Sequence, residues 1–154
     1  MLAVFFAQKA FVVHAGCLLA VRRNANDRHH PLKWEVPGGR LDAGEELDDQ
    51  LIREVFEESG VTIVPQEPFF IWKWSIATTP NLPSTIVAVA RHCRALNSAL
   101  SDQGRVEGDD LDLVEWIPLS GLNKYEWIPN MVPVLDAFTA YLKVVPRVAP
   151  EDRL

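Results

Sequence analysis

A single amphipathic helix set among short apolar strands is the feature that most limits how this chain can fold. Over residues 46–59 the apolar side chains recur along one stripe at helical spacing: Leu47, Leu51, Ile52, Val55 and Phe56. Gly60 follows directly, in the place where a glycine commonly ends a helix. Because such a helix buries only one stripe, it needs a neighbouring layer of secondary structure to cover that stripe.

Short runs rich in Val, Leu and aromatic residues predict that this neighbouring layer is a sheet. Strands are predicted over residues 11–14, 17–22, 34–36, 61–64, 71–76, 85–94 and 114–117. A second helix is predicted over residues 132–144, with Asn130 as its N-terminal cap. Polar or proline-containing segments at 22–33, 78–84 and 97–112 predict loops. We therefore expect one mixed α/β (α+β) domain over residues 1–145, followed by an unstructured tail over 146–154.

The composition fits one globular domain and excludes several classes of protein. The chain has 154 residues, the size of one ordinary domain, and a formal net charge of −6. This acidic balance argues against a nucleic-acid polymer as partner, because duplex DNA requires a basic face on the protein. It leaves room for a small phosphate-bearing ligand, since a bound cation can mediate that contact.

The sequence also predicts a cytoplasmic protein without a membrane partner. No stretch approaches the roughly 20 apolar residues of a membrane span. Residues 1–7 are apolar but lack the basic start of a signal peptide. Cys17 and Cys93 lie in apolar runs, which predicts two buried free thiols in a reducing compartment.

Three acids near the end of the first predicted helix are placed where negative charge is unfavourable. Glu54, Glu57 and Glu58 stand at i, i+3 and i+4, so their carboxylates share one face and repel each other. Glu57 and Glu58 also fall in the last turn, where the helix dipole is negative. Acids at the helix start, such as Asp48 and Asp49, are favourable there and need no functional explanation. A run of acids is usually a solvated face, but this arrangement favours a bound cation.

The donor chemistry of these three acids indicates which cation. Clustered carboxylates without a nearby Cys or His suit a hard ion, Mg²⁺ or Mn²⁺. The turn at Gly38 and Gly39, which follows a predicted strand, allows a backbone carbonyl to approach that ion. Mg²⁺ usually takes one or two protein carboxylates together with substrate phosphates, which leaves the third acid for a second ion or for general-base catalysis.

At these residues the sequence resembles the Nudix hydrolase family. The family's signature is G-x5-E-x7-R-E-U-x-E-E-x-G-U, in which U is a bulky aliphatic residue. Every fixed position is matched in this chain, by Gly39, Glu45, Arg53, Glu54, Val55, Glu57, Glu58, Gly60 and Val61. One mild departure is Glu46, which stands where many members have a Ser or Thr that caps the helix.

The resemblance implies a Nudix fold, a mixed sheet sandwiched between helices, and Mg²⁺-dependent hydrolysis of a nucleoside diphosphate linked to another group. By the family pattern, the three glutamates named above bind the metal and Gly39 contributes its carbonyl oxygen. Arg53 is expected to pair with Glu45 and to steady the site. The physical reason for the metal is that bound ions neutralise the diphosphate and activate the attacking water.

The resemblance leaves two choices for the catalytic base. Family members use either the glutamate after the arginine, here Glu54, or an acid outside the motif. The candidates outside it are Glu107, Asp109, Asp110 and Glu115. Glu107 lies in the predicted loop and could swing towards the motif, although a solvated acid is the more common role of any loop carboxylate.

No further motif fixes the substrate. We favour a (deoxy)nucleoside triphosphate or modified nucleotide, cleaved to a monophosphate and pyrophosphate, with a nucleoside diphosphate sugar such as ADP-ribose as the alternative. Arg22, Arg23 and Lys33 are candidates for phosphate contacts. A catalytically silent nucleotide-binding module is the alternative of another class, against which the intact acid cluster argues. A monomer and a homodimer are both compatible with the sequence.

Overall fold

The computed structural model of the chain describes residues 2–79 and 82–145. The tail predicted over 146–154 lies outside these residues. Within them the chain forms seven strands and two α-helices: β1 (Val4–His14), β2 (Cys17–Arg23), β3 (Trp34–Glu35), β4 (Gly38–Arg40), α1 (Leu47–Ser59), β5 (Ile63–Thr79), β6 (Leu82–Ala95), β7 (Leu111–Pro118) and α2 (Val132–Val144).

The strands form one mixed sheet in the order β3-β2-β1-β6-β5, with β4 paired to β1 and β7 paired to β2. β1 and β6 are parallel, whereas the other strand pairs are antiparallel. One edge of β1 pairs with β6, and its other edge is divided between two strands. Residues 7–9 pair with β4, and residues 13 and 14 pair with β2. This division brings the Gly38-Gly39 turn against the middle of the sheet.

The two helices cover opposite faces of the sheet, because neighbouring strand residues point to opposite sides. Leu51 and Val55 of α1 pack with Val12 and Leu19. On the other face, α2 packs with Phe11 and Leu18, the residues directly before Val12 and Leu19 in the sequence. The residues of α2 in this second apolar cluster are Val134, Leu135 and Phe138. The predicted mixed α/β architecture, a sheet between helices, is therefore confirmed.

β6 and β7 extend a few residues beyond their predicted bounds, and β7 begins at Leu111, within the loop predicted over 97–112. β1 and β5 are much longer than predicted, because polar residues and prolines concealed them. β1 begins at Val4 rather than at residue 11, since Gln8 and Lys9 are buried inside the strand instead of lying in a loop. β5 runs without a break over the gap predicted between residues 64 and 71. Its pairing with β6 shifts register near Pro65 and Pro68, so bulges accommodate the two prolines.

Three smaller predictions are also corrected. The loop predicted over residues 78–84 is shorter, since β5 reaches Thr79 and β6 starts at Leu82. Asn130 does not cap α2, because residues 129–131 form a short 3-10 turn and Met131 precedes the helix without a side-chain cap. Cys93 is a buried free thiol as expected, but Cys17 is only half-buried. No helix within the described ranges is long and apolar enough to cross a membrane.

Candidate active site

Helix α1 carries the acidic part of the matched motif and is fixed at its C-terminal end by Gly60. Glu46 has extended backbone geometry before the helix and makes no side-chain cap. At the other end Gly60 adopts φ 77°, a left-handed conformation, and its N–H donates to the Phe56 carbonyl at 2.8 Å. A β-carbon at Gly60 would lie 2.8 Å from the Ser101 side chain. Glycine is therefore required here both by the backbone and by the packing.

We use the name glycine turn for the bend at Pro37 together with Gly38 and Gly39, the first two residues of β4. This turn brings strand β4 into close contact with α1. A β-carbon at Gly39 would lie 2.7 Å from the carboxyl carbon of Glu54, so this carboxylate occupies the space that any larger residue would need. Gly38 has φ 145°, and a β-carbon there would collide with the backbone of Gln8. The two glycines thus create a small cradle in which a carboxylate of the helix meets the backbone of the strand.

The three clustered glutamates differ in burial. Glu58 is buried at 6% exposure, and Glu54 and Glu57 are half-buried. Burial raises the pKa of Glu58 to about 8, and the hydrogen bond that Glu58 accepts from the Gly38 N–H at 3.2 Å offsets this only partly. Burial also raises the pKa of Glu54. Two of the three carboxylates are therefore held where negative charge lacks a sufficient partner.

Arg53 is the cation nearest to this cluster. Its guanidinium binds Glu45 with two bonds, of 2.7 and 3.0 Å, so the structure contains the pair that the family pattern implies. It also approaches Glu57 at 3.2 Å and Glu54 at 3.3 Å. These acids raise the pKa of Arg53 above its ordinary value, first through the hydrogen bond to Glu45. Arg53 thus holds two of the repelling glutamates while Glu45 fixes Arg53 itself.

The oxygen atoms of the three glutamates and of the Gly39 carbonyl are chemically suited to a hard divalent ion. The Glu54 carboxylate lies against Gly39, Glu58 accepts a hydrogen bond from Gly38, and Glu57 shares the Arg53 guanidinium with Glu54. Carboxylate and carbonyl oxygens are the ligands that hard divalent ions prefer. In the part of the chain that the structure describes, no three acidic, histidine or cysteine side chains are already gathered in a metal-binding arrangement. Glu54 and Glu57 turn towards Arg53, and Glu58 turns towards Gly38. Binding an ion would therefore require these side chains to rotate.

A buried pair of amides supports the cradle from behind. The Gln50 side chain donates to the Gly39 carbonyl at 2.9 Å and to the Arg40 carbonyl at 3.3 Å. Gln8 donates to the Gln50 oxygen at 2.7 Å, and both glutamines are buried. Sequence analysis missed these glutamines, and their only signal is a polar residue beside the apolar stripe.

A second buried charge network lies next to the cradle. Lys9 donates to one oxygen of Glu35 at 2.7 Å, and Arg23 donates to the other at 2.9 Å. Burial alone would raise the pKa of Glu35, but the two cations outweigh burial and lower it. Sequence analysis singled out Arg23 but missed Lys9 and Glu35. Their partners are distant along the chain, so no local pattern could reveal them.

These residues line a cleft of about 560 Å³ that begins at the glycine turn. Its polar wall contains Lys9, Arg23, Glu35, Arg40, His29 and His30, together with the backbone at Gly38 and Gly39. Its apolar wall includes Trp74, Ile76, Ile86 and Met131. Such a mixture of convergent polar groups and an aromatic wall is typical of a small-molecule site. The glutamate cluster lies behind the turn rather than on the cleft wall itself.

Only one of the three predicted phosphate-binding residues reaches this cleft. Arg23 lies on its wall. Arg22 instead pairs with Asp112, through bonds of 2.9 and 2.8 Å. Lys33 pairs with the exposed Glu126 at 2.9 Å. Arg22 and Lys33 are thus committed to ion pairs outside the cleft lining.

The predicted base candidates outside the motif also differ in position. Glu107 and Asp110 are exposed in the loop before β7. Asp109 lies near enough to the motif that its negative charge contributes to the raised pKa of Glu54. Its backbone carbonyl accepts a hydrogen bond from Arg23 at 3.2 Å. Glu115 lies on β7, where it accepts from the Tyr125 hydroxyl at 3.5 Å. The loop that carries Glu107 therefore borders the site, whereas Glu115 belongs to the sheet.

Comparison with known proteins agrees with the fold and the motif. The NUDIX domain profile matches residues 6–138, and the chain therefore belongs to the Nudix family. It is 30% identical to the 8-oxo-dGTP diphosphatase of Escherichia coli over 117 residues, 75% of this chain and 81% of that protein. It is 26% identical to the uncharacterized Nudix hydrolase YvcI of Bacillus subtilis over 90 residues, 56% of this chain and 57% of that relative's length.

Solved structures show the same fold. The MutT protein of Methanosarcina mazei superimposes with a TM-score of 0.72 at 21% identity, covering 92% of this chain and 95% of that one. An ADP-ribose pyrophosphatase of Streptococcus suis gives a TM-score of 0.66 at 18% identity, covering 92% and 94%. At these identities the likeness establishes the fold and leaves the substrate to other arguments.

Proposed function

We propose that this protein is a divalent-metal-dependent pyrophosphohydrolase. Its substrate would be a nucleoside diphosphate linked to another group, foremost a (deoxy)nucleoside triphosphate or modified nucleotide, giving a monophosphate and pyrophosphate. The observation that carries the proposal is the placement of three glutamates on one end of α1, with Glu54 against Gly39, Glu58 against Gly38 and Glu57 beside Glu54 on Arg53, while burial raises the pKa of Glu58 to about 8. Such a cluster is costly unless a cation binds there.

The chemistry divides between the ion and the residues that would hold it. A bound Mg²⁺ or Mn²⁺ supplies charge neutralisation for the diphosphate and lowers the pKa of the attacking water. The three glutamates would hold it through their carboxylates, and Gly39 through its carbonyl oxygen. Gln50 fixes this carbonyl from behind, and Arg53, itself held by Glu45, keeps Glu54 and Glu57 together. Gln50, Arg53 and Glu45 would position the site without reacting themselves.

One carboxylate must also accept the proton of the attacking water. We propose Glu54, with Glu107 as the candidate outside the motif. Glu54 lies in the cradle beside Gly39, whereas Glu107 is exposed on the bordering loop. Glu54→Gln and Glu107→Gln separate them, because loss of the base lowers kcat and the loss diminishes as pH rises and hydroxide replaces it.

The cleft supports a nucleotide as substrate. Arg23, Lys9 and Arg40 offer positive charge for phosphate groups near the glycine turn, and Trp74 offers an aromatic face for a base. A substrate of this kind places its phosphates close to the glutamate cluster and its base against the apolar wall. The negative net charge of the chain is then no obstacle, because Lys9, Arg23 and Arg40 on the cleft wall outnumber the acids Asp27 and Glu35 there by one positive charge.

A nucleoside diphosphate sugar is the second candidate substrate. The fold shared with the Streptococcus suis ADP-ribose pyrophosphatase favours this alternative, and a cleft of about 560 Å³ has room for a group beyond the nucleoside diphosphate. We further propose that the protein acts in the cytoplasm, as a monomer or homodimer, without a nucleic-acid polymer or a membrane as partner.

A substrate panel with Mg²⁺ tests the proposed reaction. Nucleoside triphosphates, modified nucleotides and ADP-ribose are supplied separately, and phosphate, pyrophosphate and nucleotide products are measured. Release of pyrophosphate from triphosphates supports the first candidate, and AMP with ribose phosphate from ADP-ribose supports the second. Binding of a nucleotide without turnover of any substrate would instead indicate a silent binding module.

A further inference from the structure

The side chain of Gln8, on β1, is joined to the glycine turn through Gln50 of α1. Gln8 is 1% exposed and Gln50 is 0% exposed. The amide nitrogen of Gln50 donates to the Gly39 carbonyl at 2.9 Å and to the Arg40 carbonyl at 3.3 Å. Because a carbonyl can only accept, the nitrogen of Gln50 must face β4 and its oxygen must face away from that strand.

This orientation of Gln50 determines the orientation of Gln8. The Gln50 oxygen accepts from the Gln8 nitrogen at 2.7 Å, and the same nitrogen donates to the Leu47 carbonyl at 2.6 Å. The amide nitrogens of both glutamines therefore have two acceptors each, so no amide hydrogen is buried without a partner. Behind them, Arg91 of β6 donates to the Gln8 oxygen at 3.4 Å and pairs with Asp48 at the start of α1.

These hydrogen bonds end beside one of the clustered glutamates. Gln50 and Glu54 are four residues apart, so their side chains are neighbours on one face of α1. Both lie against Gly39. The Gln50 amide holds the carbonyl of Gly39, and the Glu54 carboxylate occupies the space that a β-carbon at Gly39 would need. The position of this carbonyl relative to the Glu54 carboxylate therefore depends on Gln50.

We infer that Gln8 is a further positioning residue of the metal site, which acts on the Gly39 carbonyl through Gln50. By fixing the Gln50 amide, Gln8 keeps that carbonyl in place for the ion. Partners that orient metal ligands commonly change metal affinity by about 10- to 100-fold. The inference rests on the proposed function, because it takes the Gly39 carbonyl as a ligand of the ion.

Mn²⁺ binding to the substrate-free protein tests this role without any measurement of activity. Gln50→Met removes the amide that holds the carbonyl, and we expect the Mn²⁺ dissociation constant to rise about tenfold. Gln8→Met leaves Gln50 in place and should raise the constant by about threefold. Both substitutions keep the backbone pairing between Gln8 and Gly39, so they change the side-chain contacts alone.

The double variant distinguishes an action through Gln50 from an independent one. Its dissociation constant should stay within about twofold of that of Gln50→Met, because the side-chain link from Gln8 to Gly39 runs through Gln50. Independent effects would multiply to about 30-fold and would overturn the role of Gln8. The matched control is Tyr141→Phe, which removes a side-chain hydrogen bond to Glu67 on the opposite face of the sheet. It should leave the constant unchanged.

The outcomes separate this inference from the proposed function. If wild type binds no Mn²⁺, or if Glu57→Gln binds it equally well, the metal site itself is wrong and the role of Gln8 with it. If binding depends on Glu57 but Gln8→Met binds Mn²⁺ as tightly as Tyr141→Phe, only the role of Gln8 is wrong. A purely structural glutamine predicts that result together with lower stability. Should Gln50→Met fail to fold, this comparison of Gln8→Met with Tyr141→Phe decides by itself.

Discussion

Two buried glutamates, Glu35 on β3 and Glu58 on α1, have opposite electrostatic surroundings. Glu35 and Glu58 are 4% and 6% exposed, so desolvation disfavours charge on both. Glu35 has Lys9 and Arg23 on its two oxygens, and its pKa is lowered. Glu58 accepts one backbone N–H at 3.2 Å and forms no ion pair among the described residues; burial outweighs this hydrogen bond and the charge of Lys9, so the pKa of Glu58 is raised to about 8. The comparison teaches that a missing counter-charge, rather than burial, distinguishes a candidate cation site from a structural ion pair.

The largest expected effect is on turnover when the cluster loses one carboxylate. Glu57→Gln should reduce Mg²⁺-dependent hydrolysis by more than about 100-fold, because even residues that only support metal ligands commonly cost 10- to 100-fold. Asp49→Asn, on the same helix but in its favourable first turn, is the control and should keep nearly full activity. Substantial activity of Glu57→Gln in steady-state kinetics would refute the assignment of the metal site.

The next largest expected effect is on the stability of the protein when Glu35 loses its charge. Glu35→Gln should lower the free energy of unfolding by about 3–5 kcal/mol, because it leaves the buried Lys9 without a carboxylate and leaves Arg23 only the weaker contact with Asp27 at 3.9 Å. Glu126→Gln removes an exposed partner of Lys33 and should cost no more than about 1 kcal/mol. Denaturant unfolding measures both. Equal costs would mean that burial of the Glu35 pair has no energetic importance.

The opposite pKa shifts predict opposite responses to pH. Because the pKa of Glu58 is raised in the folded protein, its contribution to stability is complete below its unfolded pKa, near 4.5, and is lost as pH rises towards 8. Glu35 has a lowered pKa, so its contribution is present above its unfolded pKa and is lost only at acidic pH. The metal-free protein should therefore lose stability between pH 5 and 8.

Glu58→Gln provides the control for this pH response. The variant cannot ionise at position 58, so its free energy of unfolding should change less between pH 5 and 8 than that of wild type. Urea unfolding at several pH values, with a chelator present, measures the difference. Parallel pH profiles for the two proteins would show that Glu58 does not titrate in this range.

The smallest expected effect is on the stability of Glu57→Gln without metal. The substitution removes repulsion among the clustered acids but weakens the contact with Arg53 at 3.2 Å. We expect metal-free Glu57→Gln to be as stable as wild type or slightly more stable. A loss above about 1 kcal/mol in denaturant unfolding would mean that Glu57 has a structural role instead.

The sequence predicted the local part of the site well. The spacing of Glu54, Glu57 and Glu58 places them on one helix face, and α1 and Gly60 lie where the apolar stripe predicts. These features depend on residues within one or two helical turns, where periodicity is informative. The paired glycines indicated a tight turn, although the approach of Glu54 to Gly39 is visible only in three dimensions.

The sequence did not predict the partners that lie far apart along the chain. Lys9 meets Glu35 across 26 residues, and Gln8 meets Gln50 across 42. No local pattern pairs these polar residues, because the register of the sheet decides that Gln8 and Lys9 are buried beside Gln50 and Glu35. For the same reason, Arg22 and Arg23 look equivalent in the sequence, although only Arg23 reaches the cleft.

The most direct measurement of the central claim is the effect of Mg²⁺ on the stability of the substrate-free protein at pH 8. If the glutamate cluster is a cation site, millimolar Mg²⁺ should raise the free energy of unfolding of wild type, because the ion binds the folded state alone. The triple variant Glu54→Gln, Glu57→Gln and Glu58→Gln should show no such increase. An equal increase in both proteins, or none in wild type, would contradict the claim that these acids form a metal site.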